Sequence, residues 1–320
     1  MSGAVVRGLR VRARTAVHRP DGPCACAEAG RVLAERDDGV VVRHGAVVAK
    51  AHAGETDPDG LAARLAVAAH PLLADVLLPP LGRAQAALPD GRPVSLWPYG
   101  TPVDPRTPDR APWVEAGELL ARLHRVDVAR LPGPLPPMRG PAKAARAVRR
   151  MRSAVPSTPA ARASAPAAAA VERAWLTLPR WARDETPAPR TDTLCHGDLH
   201  LGQLVRAPAP DGPWRLIDVD DLGVGPAVWD LARPAAWYAC GLLGPAEWDR
   251  FLGAYRAAGG PAVPATGDPW PALDPAARAL TVQTAALAVA RARREGRGPD
   301  PDEWAVITAC DRMGVPSAVE

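Results

Sequence analysis

Residues 31–52, RVLAERDDGVVVRHGAVVAKAH, hold three short runs rich in β-branched residues, divided by Asp37-Asp38-Gly39 and His44-Gly45. Connections that short allow only tight reversals, so the three runs predict an antiparallel meander and exclude a crossover-connected parallel sheet at this point. A helical stretch over 59–69 follows. Two further runs, VLLPPLG and PVSLWPYG, then predict two more strands around the Pro89-Asp90-Gly91 turn. Five strands and one helix define a small α+β unit over residues 1–100, whose first 30 residues form an extension without an assigned element.

The remainder, 101–320, reads as mainly helical. A Pro-rich connector, TPVDPRTPDRAP, leads into a helix over 112–125 on which Trp113, Ala116, Leu120 and Leu123 share one face. Helices are predicted near 141–152 and 165–178. QLVR and WRLID flank a loop containing Asp211-Gly212 and predict a hairpin. Helix starts are expected at Asp274-Pro275 and at Asp300-Pro301, where Glu303 completes a capping box. No internal repeat is present.

A chain of 320 residues can bury the core of a two-lobed protein, and 47% hydrophobic with 23% charged residues is a globular composition. The net charge of +4 is small and the basic residues are interspersed with acids, which argues against a nucleic-acid partner. No run of about 18 apolar residues exists to span a membrane. Five cysteines, an odd number without CxxC spacing or a secretory leader, read as free thiols of a cytoplasmic protein. Cys24 and Cys26 are accordingly taken as spare thiols rather than a metal site, and His44, His52 and His70 as surface or core histidines. Two skews stand out. Of 39 basic residues only Lys50 and Lys143 are lysine, and asparagine is absent altogether.

The chemistry concentrates between His196 and Asp218. If Arg206 pairs with Arg215 across the hairpin, Gln203 lies opposite Asp218, and an amide oxygen and a carboxylate converge as hard ligands suited to Mg²⁺. Asp198, just before that hairpin, can orient a hydroxyl nucleophile or accept its proton. A competing reading takes His196, Asp198 and His200, which alternate, as ligands of a zinc-dependent hydrolase.

His196-Gly197-Asp198, Gln203 five residues on, Ile217-Asp218 and Asp230-Leu231-Ala232 resemble the HGDxxxxN and ID…DLA signatures of the aminoglycoside phosphotransferase and choline kinase family. GELLARLH at 117–124 resembles that family's helix into the large lobe, and HGDLHLGQ as a whole is similar to maltokinase-like sugar kinases. The resemblance implies a protein-kinase-like α+β fold, with a nucleotide-binding lobe over 1–100, a helical catalytic lobe over 101–320 and ATP between them. It makes Asp198 the catalytic residue, Gln203 and Asp218 the Mg²⁺ ligands, and Lys50 the contact to the ATP phosphates. Val48, on the face of Lys50, would meet adenine, with Trp97 and Tyr99 at the interlobe hinge. His196 and Asp230 would order the catalytic loop, while His200, Asp220 and Asp221 would face substrate or metal, or solvate the loop. The implied reaction is ATP-dependent phosphorylation of a small-molecule hydroxyl, in a sugar, amino sugar or aminoglycoside.

Gln203 replaces the family's Asn. The helix after Lys50 offers Arg64 where kinases place a Glu, leaving Glu55, Asp57 or Asp59 as partners for Lys50, and only Gly39 represents a Gly-rich loop. These departures define a second alternative, a nucleotide-binding pseudokinase. The stretch from Lys143 to Arg152 carries five basic residues, which makes a neutral or anionic sugar at least as plausible an acceptor as a cationic aminoglycoside if that helix borders the site.

Overall fold

The computed structural model describes residues 2–19, 22–26, 28–36, 39–84 and 86–313. Asp37 and Asp38 of the first expected turn lie outside them. The chain opens with an unforeseen helix, α1 (Ser2–Val17). Its apolar residues Val5, Leu9 and Ala13 recur every fourth position between arginines, which aligns them in one stripe. The meander follows as β1 (Arg31–Arg36), β2 (Gly39–His44) and β3 (Val47–His52), and α2 (Pro58–Ala68) begins under the side-chain cap of Asp57. β4 (Val94–Pro98) completes a four-stranded antiparallel sheet in the order β1-β2-β3-β4, and the short β5 (Thr101–Pro102) belongs to a second sheet.

Strand alternation sorts this sheet into two faces. Val40, Val42, Val47, Ala49, Ala51, Val94 and Leu96 pack against the α1 stripe. The cross-strand pairs Val41↔Lys50, Val48↔Trp97 and Lys50↔Ser95 share the other face. The expected strand at VLLPPLG does not form. Leu77 makes an isolated bridge to Leu216, and Pro79 and Pro80, which lack amide donors, end the pairing there.

Four helices come next: α3 (Trp113–His124), α4 (Gly140–Ser153), the single turn α5 (Pro159–Arg162) and α6 (Ala165–Thr177). Four short strands follow: β6 (Thr193–Cys195), β7 (Leu204–Arg206), β8 (Trp214–Leu216) and β9 (Gly223–Gly225). The chain then runs through α7 (Val228–Ala239), α8 (Pro245–Ala257), α9 (Trp270–Glu295) and α10 (Pro301–Met313). α9 starts a turn before the expected Asp274-Pro275, with Trp270 stacked 6.1 Å from Trp248 and 6.3 Å from Tyr238. That stacking holds the extra turn. The Asp300/Glu303 capping box forms, with reciprocal backbone-to-carboxylate bonds of 2.9 Å. Among the described residues no helix is long and apolar enough to cross a membrane.

Two compact units result, each assembled from separated stretches. The first comprises 1–111, 127–136 and 201–220; the second comprises 112–126, 137–200 and 221–320. The first unit holds the four-stranded sheet, α1, α2 and the three-stranded sheet β5-β7-β8. The second is helical around α9, with the β6-β9 ribbon carrying the segment that follows Cys195. In it α3 and α8 approach so closely that a Cβ on Gly117 would stand 2.3 Å from the Phe251 carbonyl oxygen.

Candidate active site

In the first unit, the face of the sheet opposite α1 carries Lys50. Its ammonium donates to Asp218 Oδ1 at 2.6 Å and lies 3.1 Å from Asp220 Oδ2. Burial pushes the Lys50 ammonium toward neutrality, but the two carboxylates outweigh it and hold its pKa above the ordinary lysine range. For Asp220 burial acts upward, and Lys50 and His52 overcome it, keeping the carboxyl well below the usual carboxylate range. His52, fully buried, places Nδ1 2.9 Å from Asp220 Oδ1 and Nε2 2.7 Å from Ser95 Oγ. Trp97 Nε1 donates to the same hydroxyl at 2.8 Å. The acids beside Lys50 therefore come from the end of the hairpin, a correction to the expectation of Glu55, Asp57 or Asp59; Asp57 instead caps α2.

Val48 shares the Lys50 face, opposite Trp97. Tyr99 lies under the Arg43 guanidinium, 3.4 Å from the ring centroid. Together with Gly45, Leu78, Pro98 and Ala207 these two residues line a cavity of about 540 Å³ within the first unit. Trp97 is buried and its indole N–H is committed to Ser95, so its side chain offers no free donor.

The hairpin register differs by one residue from expectation. Arg206 pairs with Trp214 and Leu204 with Leu216, so Gln203 faces Ile217, whose amide donates to the Gln203 carbonyl at 2.9 Å. The expected register would have set Arg206 against Arg215. The observed one buries the Leu204–Leu216 pair and lays the Arg206 guanidinium over Trp214, 4.7 Å from its ring. Asp218 then falls just beyond the pair and reaches Lys50 from a left-handed backbone conformation, φ 66°, that Asp tolerates better than most residues. Asp218 and Asp220 are gathered around the Lys50 ammonium, and with the amide of Gln203 from the same hairpin they make a hard-oxygen donor set whose chemistry fits Mg²⁺.

In the second unit, both oxygens of Asp198 are engaged. Oδ2 accepts from Lys143 at 2.8 Å and Oδ1 from Arg233. Lys143 also donates to Asp221 Oδ2 at 2.7 Å, and Arg139 Nε stands 3.9 Å from Asp221 Oδ1. Burial raises the Asp198 pKa, but Lys143, Arg233 and the nearby His200 bring it down to about 2. The loop that presents Asp198 is tied to fully buried Asp230, which accepts from the His196 amide at 2.6 Å and the Gly197 amide at 2.7 Å. His124 Nε2 lies 2.9 Å from the same carboxylate, and its Nδ1 2.9 Å from the Tyr255 hydroxyl. The Ala262 amide donates to that hydroxyl. His124 thus bridges the Tyr255 hydroxyl and the Asp230 carboxylate that holds the loop. Gly197 has φ +86°, and a Cβ there would meet the Asp221 carbonyl oxygen at 2.4 Å, so this position of the loop requires glycine.

The zinc reading of His196, Asp198 and His200 does not survive. His196 Nδ1 accepts from the Asp198 amide at 3.4 Å, and among the described residues these three side chains do not gather as ligands around one point. Arg233, Arg139 and Ser95 were not anticipated, Lys143 stands out in the sequence only by its rarity and its basic helix, and His52 reads there only as a surface or core histidine. The one available signal was the scarcity of lysine: both lysines of the chain contact carboxylates of the 198–221 segment.

The profile of the phosphotransferase enzyme family matches residues 27–275. No curated protein sequence matches the chain. Among solved structures, a choline/ethanolamine kinase family protein from Mesorhizobium loti is 16% identical, with 99% of this chain and 96% of that one covered and a TM-score of 0.52. A spectinomycin phosphotransferase in complex with ADP and spectinomycin is 14% identical over 88% of this chain and 93% of that one, with a TM-score of 0.55. An aminoglycoside phosphotransferase solved with AMP-PNP and hygromycin B is 14% identical over 90% and 94%, with a TM-score of 0.54. The fold is the protein-kinase-like α+β fold of these proteins.

Proposed function

The chain belongs to the phosphotransferase enzyme family, and from that premise we propose that it is an active kinase, moving the γ-phosphoryl group of ATP to a hydroxyl of a sugar-like small molecule. The observation that carries this reading is the Lys50 ammonium held between Asp218 and Asp220. A strand lysine and two carboxylates gathered in this way suit phosphate and its counter-cation together. Bound Mg²⁺ would neutralise charge on the transferring phosphate, with Gln203 and Asp218 as its holders. Val48, Tyr99 and the cavity beside Tyr99 are the proposed nucleoside contacts, with Trp97 packed opposite Val48 on the same sheet face.

Asp198 is the proposed catalytic residue. With a pKa of about 2 it is ionised throughout the working range and is a weak base. Its role is to orient the acceptor hydroxyl and take the proton as the bond to phosphorus forms; phosphoryl transfer, with its loose transition state, depends mainly on such positioning. A carboxylate has about four lone-pair positions, so it can accept the hydroxyl while retaining Lys143 and Arg233. His196 and Asp230 hold the loop in place.

The surroundings of Asp198 bear on the acceptor. Lys143, Arg233 and Arg139 stand against two carboxylates, Asp198 and Asp221. Among these five groups positive charge exceeds negative, which suits a neutral or anionic sugar better than a polycationic aminoglycoside. ATP consumption with Mg²⁺ across sugars, sugar acids, amino sugars, aminoglycosides and choline-like alcohols, run beside Asp198→Ala, tests the proposal. Acceptor-dependent turnover lost in the variant supports it. ATP binding without turnover over the whole panel would assign the chain to the pseudokinases.

A further inference from the structure

Four side chains outside the proposed active site converge where α1 meets the sheet. His18 follows the last turn of α1, Cys24 and Cys26 lie in the segment before β1, and His44 ends β2. His18 Nε2 is 3.0 Å from Cys26 Sγ, and Cys24 Sγ is 3.2 Å from His44 Nε2. The two imidazoles meet edge to face at 5.3 Å, and one ligand atom from each of the four residues lies within 4.8 Å of all the others.

From this geometry we propose that His18, Cys24, Cys26 and His44 form a structural Zn²⁺ site that fastens α1 to the four-stranded sheet.

Two thiolates and two imidazoles are the donor set of closed, four-coordinate zinc centres. Zn–S and Zn–N bonds of about 2.3 and 2.0–2.1 Å give ligand-to-ligand edges of about 3.3–3.8 Å in a tetrahedron. Two of the six edges, the sulfur–nitrogen separations of 3.0 and 3.2 Å, are a few tenths of an ångström shorter, and the other four lie within 4.8 Å, so metal binding needs those two pairs to open slightly and the quartet to close around the ion. The surroundings are built to match. Gly45 turns with φ +58° beneath Cys26, and a Cβ there would stand 3.1 Å from the sulfur. Arg14 of α1 donates to the Gly22 carbonyl and holds the start of the cysteine segment near the helix. The alternation Cys-Ala-Cys, which in sequence reads as two spare thiols, brings both sulfurs to one point only because the ends of α1 and β2 supply the histidines.

The site bears on the nucleotide-binding unit through its neighbours in the chain. Arg43 and Gly45, on either side of His44, line the cavity beside Tyr99. Zinc at His44 would therefore stiffen the β2–β3 turn that borders it.

Metal analysis of the full chain, expressed with added zinc and freed of loosely held ions, should give one zinc per chain. The count should be unchanged in Asp198→Ala and lost in Cys24→Ser/Cys26→Ser. Stripped protein titrated with Co²⁺ should develop a thiolate-to-cobalt charge-transfer band and strong tetrahedral visible bands, which one equivalent of Zn²⁺ abolishes. Chelation should lower the melting temperature of the unsubstituted chain. The Co²⁺ titration uses that chain alone, so it decides the matter even if the double variant fails to fold. Substoichiometric zinc together with a Co²⁺ spectrum lacking the thiolate band would overturn the proposal, as would full zinc retention in a folded double variant.

Discussion

Lys143 Nζ lies 2.8 Å from Asp198 Oδ2, across 55 residues of sequence, and the same ammonium reaches Asp221 at 2.7 Å. One of the two lysines in the chain is thereby joined to the carboxylate proposed to meet the acceptor hydroxyl.

Lys143→Met should raise the Asp198 pKa from about 2 toward the ordinary value near 3.9, since the largest charge holding it down is gone. A carboxylate with a depressed folded-state pKa stabilises the fold above its unfolded pKa and loses that contribution as pH falls through the folded value. In the parent chain that loss falls between about pH 4 and pH 2; in the variant it is complete at higher pH. Acid titration followed by near-ultraviolet circular dichroism should show the variant unfolding earlier, and an unchanged acid transition would refute the coupling.

Asp198→Asn keeps the shape of the side chain and removes its charge. Turnover should fall by roughly 10²–10⁴, the range a positioned proton acceptor supplies, while nucleotide binding measured by calorimetry stays within a few-fold of the parent. Nucleotide affinity lost in parallel with turnover would mean that Asp198 acts on binding instead.

Asp220→Asn leaves the buried Lys50 with one carboxylate in place of two and turns His52 toward a neutral amide. Removing one partner of such a network costs roughly 3 kcal/mol, far above the value of an exposed ion pair. Urea unfolding should report the loss; a change below about 0.5 kcal/mol would place the pair among surface contacts.

Gly117→Ala drives a methyl group into the Phe251 carbonyl at the contact of α3 with α8. The helices must separate, at a cost of about 1–3 kcal/mol. Asp300→Ala removes half of the α10 capping box and should cost about 1 kcal/mol, so thermal unfolding should rank Gly117→Ala as the more damaging of the two.

The elements visible in the sequence are those with local causes. The β2–β3 reversal follows from Gly45, the helix after Lys50 from the run over 59–69, and the capping box from Asp300 and Glu303. α1 escaped because its apolar stripe is narrow and interrupted by arginines, and only the back of the sheet gives that stripe a partner. The hairpin register missed by one residue because it is fixed by the Leu204–Leu216 and Arg206–Trp214 pairs, which compete with alternatives that a linear pattern does not rank.

By itself the sequence determined the antiparallel meander and the helical second part, and it singled out Lys50, Asp198, Gln203, Asp218 and Asp230 as the residues proposed for phosphotransferase chemistry. Tertiary structure alone decided their partners. Lys50 received Asp218 and Asp220 rather than an acid from the following region, Asp198 received Lys143 and Arg233, and two cysteines met two histidines from the ends of α1 and β2. The reason is physical. Periodicity, caps and turns act over a few residues and are written locally, whereas the pairing of buried charges depends on which faces are covered, and that is settled only when distant segments pack.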